Sequence, residues 1–280
     1  MQQLFKTILI PVDFTVNTEI AICKALEIAN PEQATFHLLH VVKPSFGIMG
    51  LKKTAGSKVG MDVEKKLEQW AESIEDYLPL AKVSWSIVPG QSVQETIIDT
   101  SMELHPDLVV LGKQSSHSWF PMLNTVVPSA ISKETGSAVL TVKPGSLHNK
   151  IRKVVVAVND DVAAPKMEAI AALCRNNRIQ ILLVTFVNGS HVPEDFSASA
   201  LLTVYQWLKT VLHCQVEYAV LHGHNRAKAI LEFAEKSKAD MLLLNPDYET
   251  KIGWPARHIS DVISPASKVQ VLTVGPTIHS

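Results

Sequence analysis

The segment TILIPVD, residues 7–13, decides the fold of this 280-residue chain. It is a nearly continuous apolar run that ends in an acid, which is typical of a strand buried on both faces in a parallel sheet. The segment VVVAVN, residues 154–159, has the same character and also ends in a polar residue. Each segment therefore predicts the first strand of its own parallel sheet, and we expect the strands of the two halves not to interleave.

Further strand patterns follow each opening strand in the same order, with helical patterns between them. The strands are predicted at residues 35–41, 83–88, 107–112 and 138–142 in the first half, and at 180–186, 216–221, 240–245 and 270–274 in the second. Helices are predicted at 17–30, 62–77, 91–103 and 227–236. Five strands in one order, occurring twice, form an internal repeat. Their alternation with helices predicts an α/β fold with two tandem five-stranded parallel-sheet domains and helices on both faces.

A polar stretch containing Pro and Gly, residues 143–150, separates the two halves and predicts a linker. We therefore expect one domain over residues 1–147 and a second, more degenerate one over residues 150–280.

The composition predicts an ordinary soluble globular protein of the cytoplasm. Hydrophobic residues make up 46% of the chain, charged residues 19%, and the formal net charge is −1. Such a balance argues against nucleic acid or an anionic membrane as a partner, because phosphate binding needs clustered Lys and Arg. Apolar runs stay well short of the about 18 residues that a bilayer requires. The three cysteines are odd in number and form no CxxC motif, so free thiols in a reducing compartment are expected.

The short motifs within these strands resemble a known family. They are ILIPVDF at 8–14, HLLHVV at 37–42, PDLVVLG at 106–112 and SAVLTVKP at 137–144, repeated more weakly in the second half as VVVAVND, ILLVTFV, ADMLLLN and VQVLTVGP. In order and spacing they resemble the universal stress protein family, in its tandem two-domain form, over essentially the whole chain. The resemblance implies Rossmann-like domains with sheet order 3-2-1-4-5. It also implies that nucleotide-binding members hold ATP at the strand ends beside the switch between the first and fourth strands.

The resemblance places a candidate nucleotide site in the first half. Members that bind ATP carry a G-x2-G-x9-G-[ST] loop after the fourth strand, because glycine lets backbone N–H groups approach phosphates closely. Only the first glycine is matched here, and hydroxyl residues stand at the next two glycine positions. The candidate residues are Pro11, Asp13, Val41, Gly112, Ser115 and Thr125.

Each of these residues also has a structural interpretation. Asp13 ends a strand before a helix and suits a capping or turn role, while Pro11 and Val41 suit the core. In the second half Asn159 replaces the aspartate and Asn245 the first glycine, which favours a half that has lost the site.

Three hypotheses about function remain. The chain is a stress-response or regulatory protein that binds ATP or a related nucleotide in its first half, or a scaffold that has lost nucleotide binding and acts on an unknown protein partner. The third hypothesis, a slow ATP hydrolase, has no base or metal ligands to support it. Catalytic motifs such as GxSxG, the Walker loop and HExxH do not occur, and the histidine pairs at 37/40 and 222/224 lack the neighbours of a zinc site. We therefore predict no catalytic residues, no metal site and no certain cofactor.

The last strand of each half is apolar, β-branched and poor in the Lys and Pro that protect natural edges. Two such edges in one chain should pair with each other, and the dimers of universal stress proteins commonly pair through this strand. We predict that residues 138–142 and 270–274 pair antiparallel and make the chain an internal pseudo-dimer. Whether the whole chain forms a further homo-oligomer is left open.

Overall fold

A computed structural model shows an α/β protein with one main sheet of ten strands. It describes residues 5–42, 58–113, 123, 125–158, 164–176, 178–188, 198–246, 251–252 and 257–275. The first half contains β1 Thr7–Val12, α1 Val16–Ile28, β2 Thr35–Val42, α2 Lys58–Tyr77, β3 Lys82–Pro89, α3 Val93–Leu104, β4 Leu108–Gly112, α4 Pro128–Thr135 and β5 Ala138–Val142. The second half contains β6 Lys153–Ala157, α5 Ala164–Asn176, β7 Gln180–Asn188, α6 Ala198–Thr210, β8 Gln215–Gly223, α7 Arg226–Ser237, β9 Met241–Leu244, β10 Lys251–Ile252, β11 Arg257–His258, α8 Ile259–Val262 and β12 Gln270–Thr273.

The main sheet keeps the strands of each half together and joins the halves at their last strands. Its order is β3-β2-β1-β4-β5-β12-β9-β6-β7-β8, and β10 and β11 form a separate two-stranded ribbon. Apart from that ribbon, the strands of each half follow the order 3-2-1-4-5. The predicted α/β class and the absence of interleaving are therefore confirmed. The prediction of two separate sheets is wrong, because the pairing of the last strands makes them continuous.

The strands β5 and β12 pair antiparallel, whereas the other strand pairs of the main sheet are parallel. Leu272 lies opposite Leu140, and the neighbouring positions pair Val271 with Thr141 and Thr273 with Val139. The predicted antiparallel pairing is thus confirmed. Its cause is the one expected, since the pairing satisfies N–H and C=O groups that each half would otherwise leave on an exposed edge.

The apolar core differs between the two faces of the sheet. On the face that carries α1 and α5, one core passes through both halves and includes Leu140 and Leu272, both fully buried. On the opposite face the core around α3 and α4 is separate from the core around α7 and α8. Buried polar side chains lie between these two cores at the junction, as described below.

The third helix of each half, α3 and α7, begins with a side-chain cap and ends at a left-handed residue. Ser92 caps α3 by accepting a hydrogen bond from an N–H of its first turn, and Asn225 caps α7 in the same way. Such caps satisfy N–H groups that have no partner within the helix. Both helices end at a left-handed residue, His105 with φ 47° and Lys238 with φ 55°. The two halves therefore share the backbone conformation at both ends of this helix, in addition to the sequence pattern.

An aspartate before the fourth strand of each half fastens the start of the first strand. The carboxylate of Asp107 accepts hydrogen bonds from the N–H groups of Lys6 and Thr7 at 3.0–3.2 Å. The carboxylate of Asp240 accepts from those of Arg152 and Lys153 at 2.9 Å. The aspartate of each PD or AD motif thus has a structural role at the end of the sheet away from the switch point.

The segment predicted as a linker between the halves is packed against both of them. It contains a 3-10 turn at Pro144–Ser146, and Ser146 is fully buried. The N–H of Gly145 donates to the carbonyl of Pro265 in the second half at 2.8 Å. On the other side, the ammonium of Lys24 in α1 donates to the carbonyl of Asn149 at 2.7 Å. The segment is therefore bonded to both halves.

Candidate functional site

The carboxyl ends of β1 and β4 form the switch point of the first half, because β1 pairs with β2 on one side and with β4 on the other. Parallel α/β sheets bind ligands at such points. The predicted residues Pro11, Asp13 and Gly112 lie at or beside these two strand ends, and Val41 lies near the end of β2. Thr125 is exposed ahead of α4, and Ser115 lies outside the described residues.

The carboxylate of Asp13 holds the turn that leads into α1. Its Oδ1 accepts hydrogen bonds from the Thr15 hydroxyl at 2.6 Å, the Thr18 hydroxyl at 2.8 Å and the Thr15 N–H at 3.1 Å. Thr15 in turn caps α1 by accepting from the N–H of Asn17. The turn role considered from the sequence is therefore present. The other oxygen of this carboxylate, Oδ2, has no hydrogen bond with the described residues.

An aromatic group covers the α1–α2 side of the same strand end. Phe14 has a left-handed backbone with φ 57°. Its ring lies 5.3 Å from that of Trp70 in α2 and 4.6 Å from that of His40 in β2, centroid to centroid. The Lys66 ammonium lies 5.5 Å from the Phe14 ring, within cation–π range. A bulky residue in a left-handed conformation is strained, and these ring contacts stabilise it.

Gly112 is required by the packing of α1 against β4. A Cβ atom at this position would lie 2.0 Å from the backbone oxygen of Asn17 and 2.5 Å from its carbonyl carbon. Since both atoms belong to backbone, no side-chain rotation relieves the contact. The single glycine that matches the family's loop therefore has a structural function that needs no phosphate.

Lys113, the residue after this glycine, is turned inward and bonded to both halves. Its side chain is only 1% exposed. The ammonium donates to the carbonyl of Val126 at 2.6 Å and forms an ion pair with the carboxylate of Asp261 in α8 at 2.8 Å. Burial lowers the pKa of Lys113, and the Asp261 carboxylate opposes that change. The first residue of the candidate phosphate loop is thus a lysine whose ammonium is already bonded to other groups of the protein.

Lys143 follows β5 as Lys113 follows β4, and it is 2% exposed. Among the described residues its Nζ atom has no hydrogen-bond partner. Burial, reinforced by the nearby charge of Lys113, lowers the pKa of Lys143 from 10.5 to about 8, while Asp261 acts in the opposite direction. A buried cation without a partner destabilises the folded state.

His258 completes this group, which we call the junction cluster: Lys113, Lys143, His258 and Asp261. Burial lowers the pKa of His258 to about 4; Asp261 opposes the change and the two lysines reinforce it. Its Nδ1 accepts from the N–H of Ser260 at 3.2 Å and lies 2.7 Å from the Ser260 hydroxyl, whereas its Nε2 has no hydrogen-bond partner among the described residues. At neutral pH the cluster therefore contains a neutral imidazole, and its one carboxylate faces two lysines.

The junction cluster was not predicted from the sequence. Lysines directly after two neighbouring buried strands were the available signal, because residues at equivalent strand ends lie side by side. Because lysine side chains are usually exposed, these two lysines are taken for surface residues when only the sequence is known.

The strand ends of the second half leave only a small cavity. A cavity of about 10 Å³, room for about one water molecule, is lined by Ala157, Phe186 and Arg226 among others. The Arg226 guanidinium lies 5.5 Å from the Phe186 ring centroid. The buried Lys166 ammonium donates to the Ala157 carbonyl. Counted along the repeat, Ala157 and Phe186 are the counterparts of the candidate residues Pro11 and Val41, so a larger side chain stands at the second of these positions.

The histidines singled out in β2 have protein partners on opposite faces. The ring nitrogens of His37 lie 2.9 Å and 2.8 Å from the hydroxyls of Ser84 and Ser86, and burial lowers its pKa. His40 bonds to the Val12 carbonyl through Nδ1. The described residues contain no group of three or more His, Cys, Asp or Glu able to hold a metal ion. They also contain no helix long and apolar enough to cross a membrane.

Comparison with known proteins identifies the family. The sequence profile of the universal stress protein family matches residues 4–143, which is half of the chain. The chain belongs to the universal stress protein family. No curated protein matches the chain.

Solved structures extend the likeness in fold to both halves of this universal stress protein. A universal stress protein from Archaeoglobus fulgidus is similar with a TM-score of 0.66 and 16% identity, over 98% of each chain. A protein described as a putative universal stress protein from Pseudomonas aeruginosa gives 0.60 and 16% identity, over 98% of this chain and 94% of that one. The cytoplasmic domain of a prokaryotic cation chloride cotransporter gives 0.55 and 12% identity, over 96% and 94%. At these identities the likeness concerns the fold alone.

Proposed function

We propose that this universal stress protein is a cytoplasmic regulatory protein that acts through contacts with other proteins and does not bind ATP at its switch points. The observation that carries the proposal is the state of the chain at the end of β4. Gly112 packs against the backbone of Asn17. The Lys113 ammonium is bonded to the Val126 carbonyl and the Asp261 carboxylate. Backbone N–H groups cradle a phosphate only where the loop leaves them room.

The second half supports the same proposal, because the cavity that Phe186 and Arg226 line there has room for about one water molecule, and Lys166 is bonded to the Ala157 carbonyl beside it. The surface near β8 suits contacts with proteins. This strand ends the main sheet, and Tyr218 on it is 63% exposed. Edge strands with exposed apolar side chains are sites where other chains pair or pack.

Two observations favour a second candidate function, the binding of ATP or a related nucleotide in the first half. Oδ2 of Asp13 has no hydrogen bond with the described residues. Thr125 is exposed, and it precedes Val126, whose carbonyl accepts from Lys113 at the end of β4. A ribose hydroxyl would suit the first group and a phosphate oxygen the second.

Calorimetric titration of ATP with Mg²⁺ into the full chain separates the two candidates. We expect no binding tighter than a Kd of about 1 mM, where the binding free energy is only about −4 kcal/mol. A Kd in the micromolar range would overturn the proposal. In that case Thr125→Glu tests the location, since a carboxylate at this exposed position repels phosphate without disturbing the core. Gly112 is unsuitable for this purpose, because any side chain there strikes the backbone of α1.

A further inference from the structure

Two of the three cysteines lie against each other in the second half. Cys174 is on α5, and Cys214 is the residue before β8. Their Sγ atoms are 2.9 Å apart, and both thiols are free. A disulfide bond is about 2.05 Å long, so the two sulfurs need to approach by only about 1 Å to become bonded.

The backbone holds both cysteines in place. After α6 the chain turns through His213, which is left-handed with φ 53°, and the N–H of Cys214 donates to the carbonyl of Leu208 at 3.1 Å. Cys174 lies within a regular helix whose apolar side packs into the core. The short distance therefore joins two ordered elements.

Both thiols are half-buried, so a small oxidant can reach them. Burial raises the pKa of the Cys174 thiol, and the hydrogen bond from Cys214 acts in the same direction. A raised pKa keeps the Cys174 thiol protonated at neutral pH, and thiolate is the form that oxidants attack. Cys174 should therefore remain reduced under ordinary conditions and react slowly when oxidant accumulates.

The geometry points to a redox modification site: Cys174 and Cys214 form a reversible intramolecular disulfide when the protein meets a peroxide. One thiolate attacks a peroxide oxygen and becomes a sulfenic acid, while the other peroxide oxygen leaves and is protonated to water. The second thiol then displaces water from the sulfenic acid, forming the S–S bond. Overall two thiols and one hydrogen peroxide give one disulfide and two waters. A dithiol reductant reverses the modification by exchange.

The bond would join α5 to the start of β8 across 40 positions of the chain. Closing a loop of this size restricts the unfolded chain strongly. Oxidation should therefore stabilise the second half, which includes the edge strand β8. This inference rests on the sulfur geometry alone and is independent of what the switch points bind.

The test uses the reduced full chain, treated with hydrogen peroxide at neutral pH and digested without reduction. Mass spectrometry should find Cys174 and Cys214 in one cross-linked peptide and Cys23 as a monothiol or its own oxidation product. The melting temperature should rise by roughly 5–10 °C and return after a dithiol reductant. Cys174→Ser should abolish both effects, while Cys23→Ser, a control at an exposed cysteine of α1, should preserve them.

Recovery of Cys174 and Cys214 on separate peptides, as thiols or as sulfinic acids, would overturn the inference. So would a disulfide that joins two chains through Cys23 and leaves the pair reduced. Because both readouts are made on the wild-type protein, a folding defect in a serine variant does not affect the conclusion.

Discussion

Replacing Lys143 by methionine should make the protein more stable at neutral pH. The lysine is 2% exposed, and its Nζ has no hydrogen-bond partner among the described residues. Methionine has a similar length and carries no charge, so the substitution removes an unfavourable charge and no hydrogen bond. Replacing buried ionic groups by apolar ones of similar volume is often stabilising.

The magnitude follows from the lowered pKa. The change from 10.5 to about 8, at about 1.4 kcal/mol for each tenfold change in proton affinity, amounts to about 3 kcal/mol. The unfolded chain binds this proton more tightly than the folded one, so wild-type stability should rise between pH 8 and pH 10.5 and carry the full cost below pH 8. We expect the Lys143→Met protein to be more stable at pH 7 by about 2–3 kcal/mol, with the difference shrinking as the pH approaches 10.

Urea titrations followed by tryptophan fluorescence at pH 7, 8, 9 and 10 measure this difference in the free energy of unfolding. Lys82→Met, a change at an exposed lysine that begins β3, is the matched control and should stay within about 0.5 kcal/mol of wild type. A difference that is constant across the pH series, or a methionine variant less stable than wild type at pH 7, would refute the reasoning.

Three further predictions concern the fold. Gly112→Ala should destabilise the protein by at least about 2 kcal/mol, because its Cβ meets the Asn17 backbone at 2.0 Å; a midpoint of urea unfolding equal to wild type would contradict this. Asp107→Ala and Asp240→Ala should each cost about 1–3 kcal/mol, since each leaves two backbone N–H groups of a first strand without their acceptor; thermal unfolding should show similar losses for the pair, and a loss confined to one would show that the two clamps are not equivalent. Val271→Pro should cost about 3 kcal/mol or more and loosen the junction, because β12 is bonded to β5 on one side and β9 on the other; limited proteolysis and small-angle scattering unchanged from wild type would contradict it.

Sequence reasoning predicted the strands well, because a run such as residues 154–158 is apolar without interruption and only a buried strand accommodates it. The observed bounds differ by one or two residues; β6, for example, is Lys153–Ala157. The helices α4, α5, α6 and α8 were not predicted. The four residues of α8 are too few for a helical period to show. The continuity of the sheet was also missed, although the pairing that produces it was predicted.

The candidate site was less predictable, because its decisive contacts join residues far apart in the sequence. A glycine matched to a loop motif suggests a phosphate, whereas Gly112 meets the backbone of α1. Lys113 looks like an ordinary surface lysine until its partner Asp261 is known. The turn around Asp13 was within reach of prediction, since its partners Thr15 and Thr18 are local.

The ion pair between Lys113 and Asp261 distinguishes the two halves of the chain from each other. Counted along the repeat, the counterpart of Lys113 is Pro246 and that of Asp261 is Ser129, so the pair occurs once and not twice. If the first halves of two molecules paired with each other, each buried Lys113 would face a serine and lose its counter-ion. If two second halves paired, each Asp261 would face a proline instead of a lysine. A single asymmetric charge pair therefore disfavours the pairing of like halves and favours the pairing of a first half with a second half.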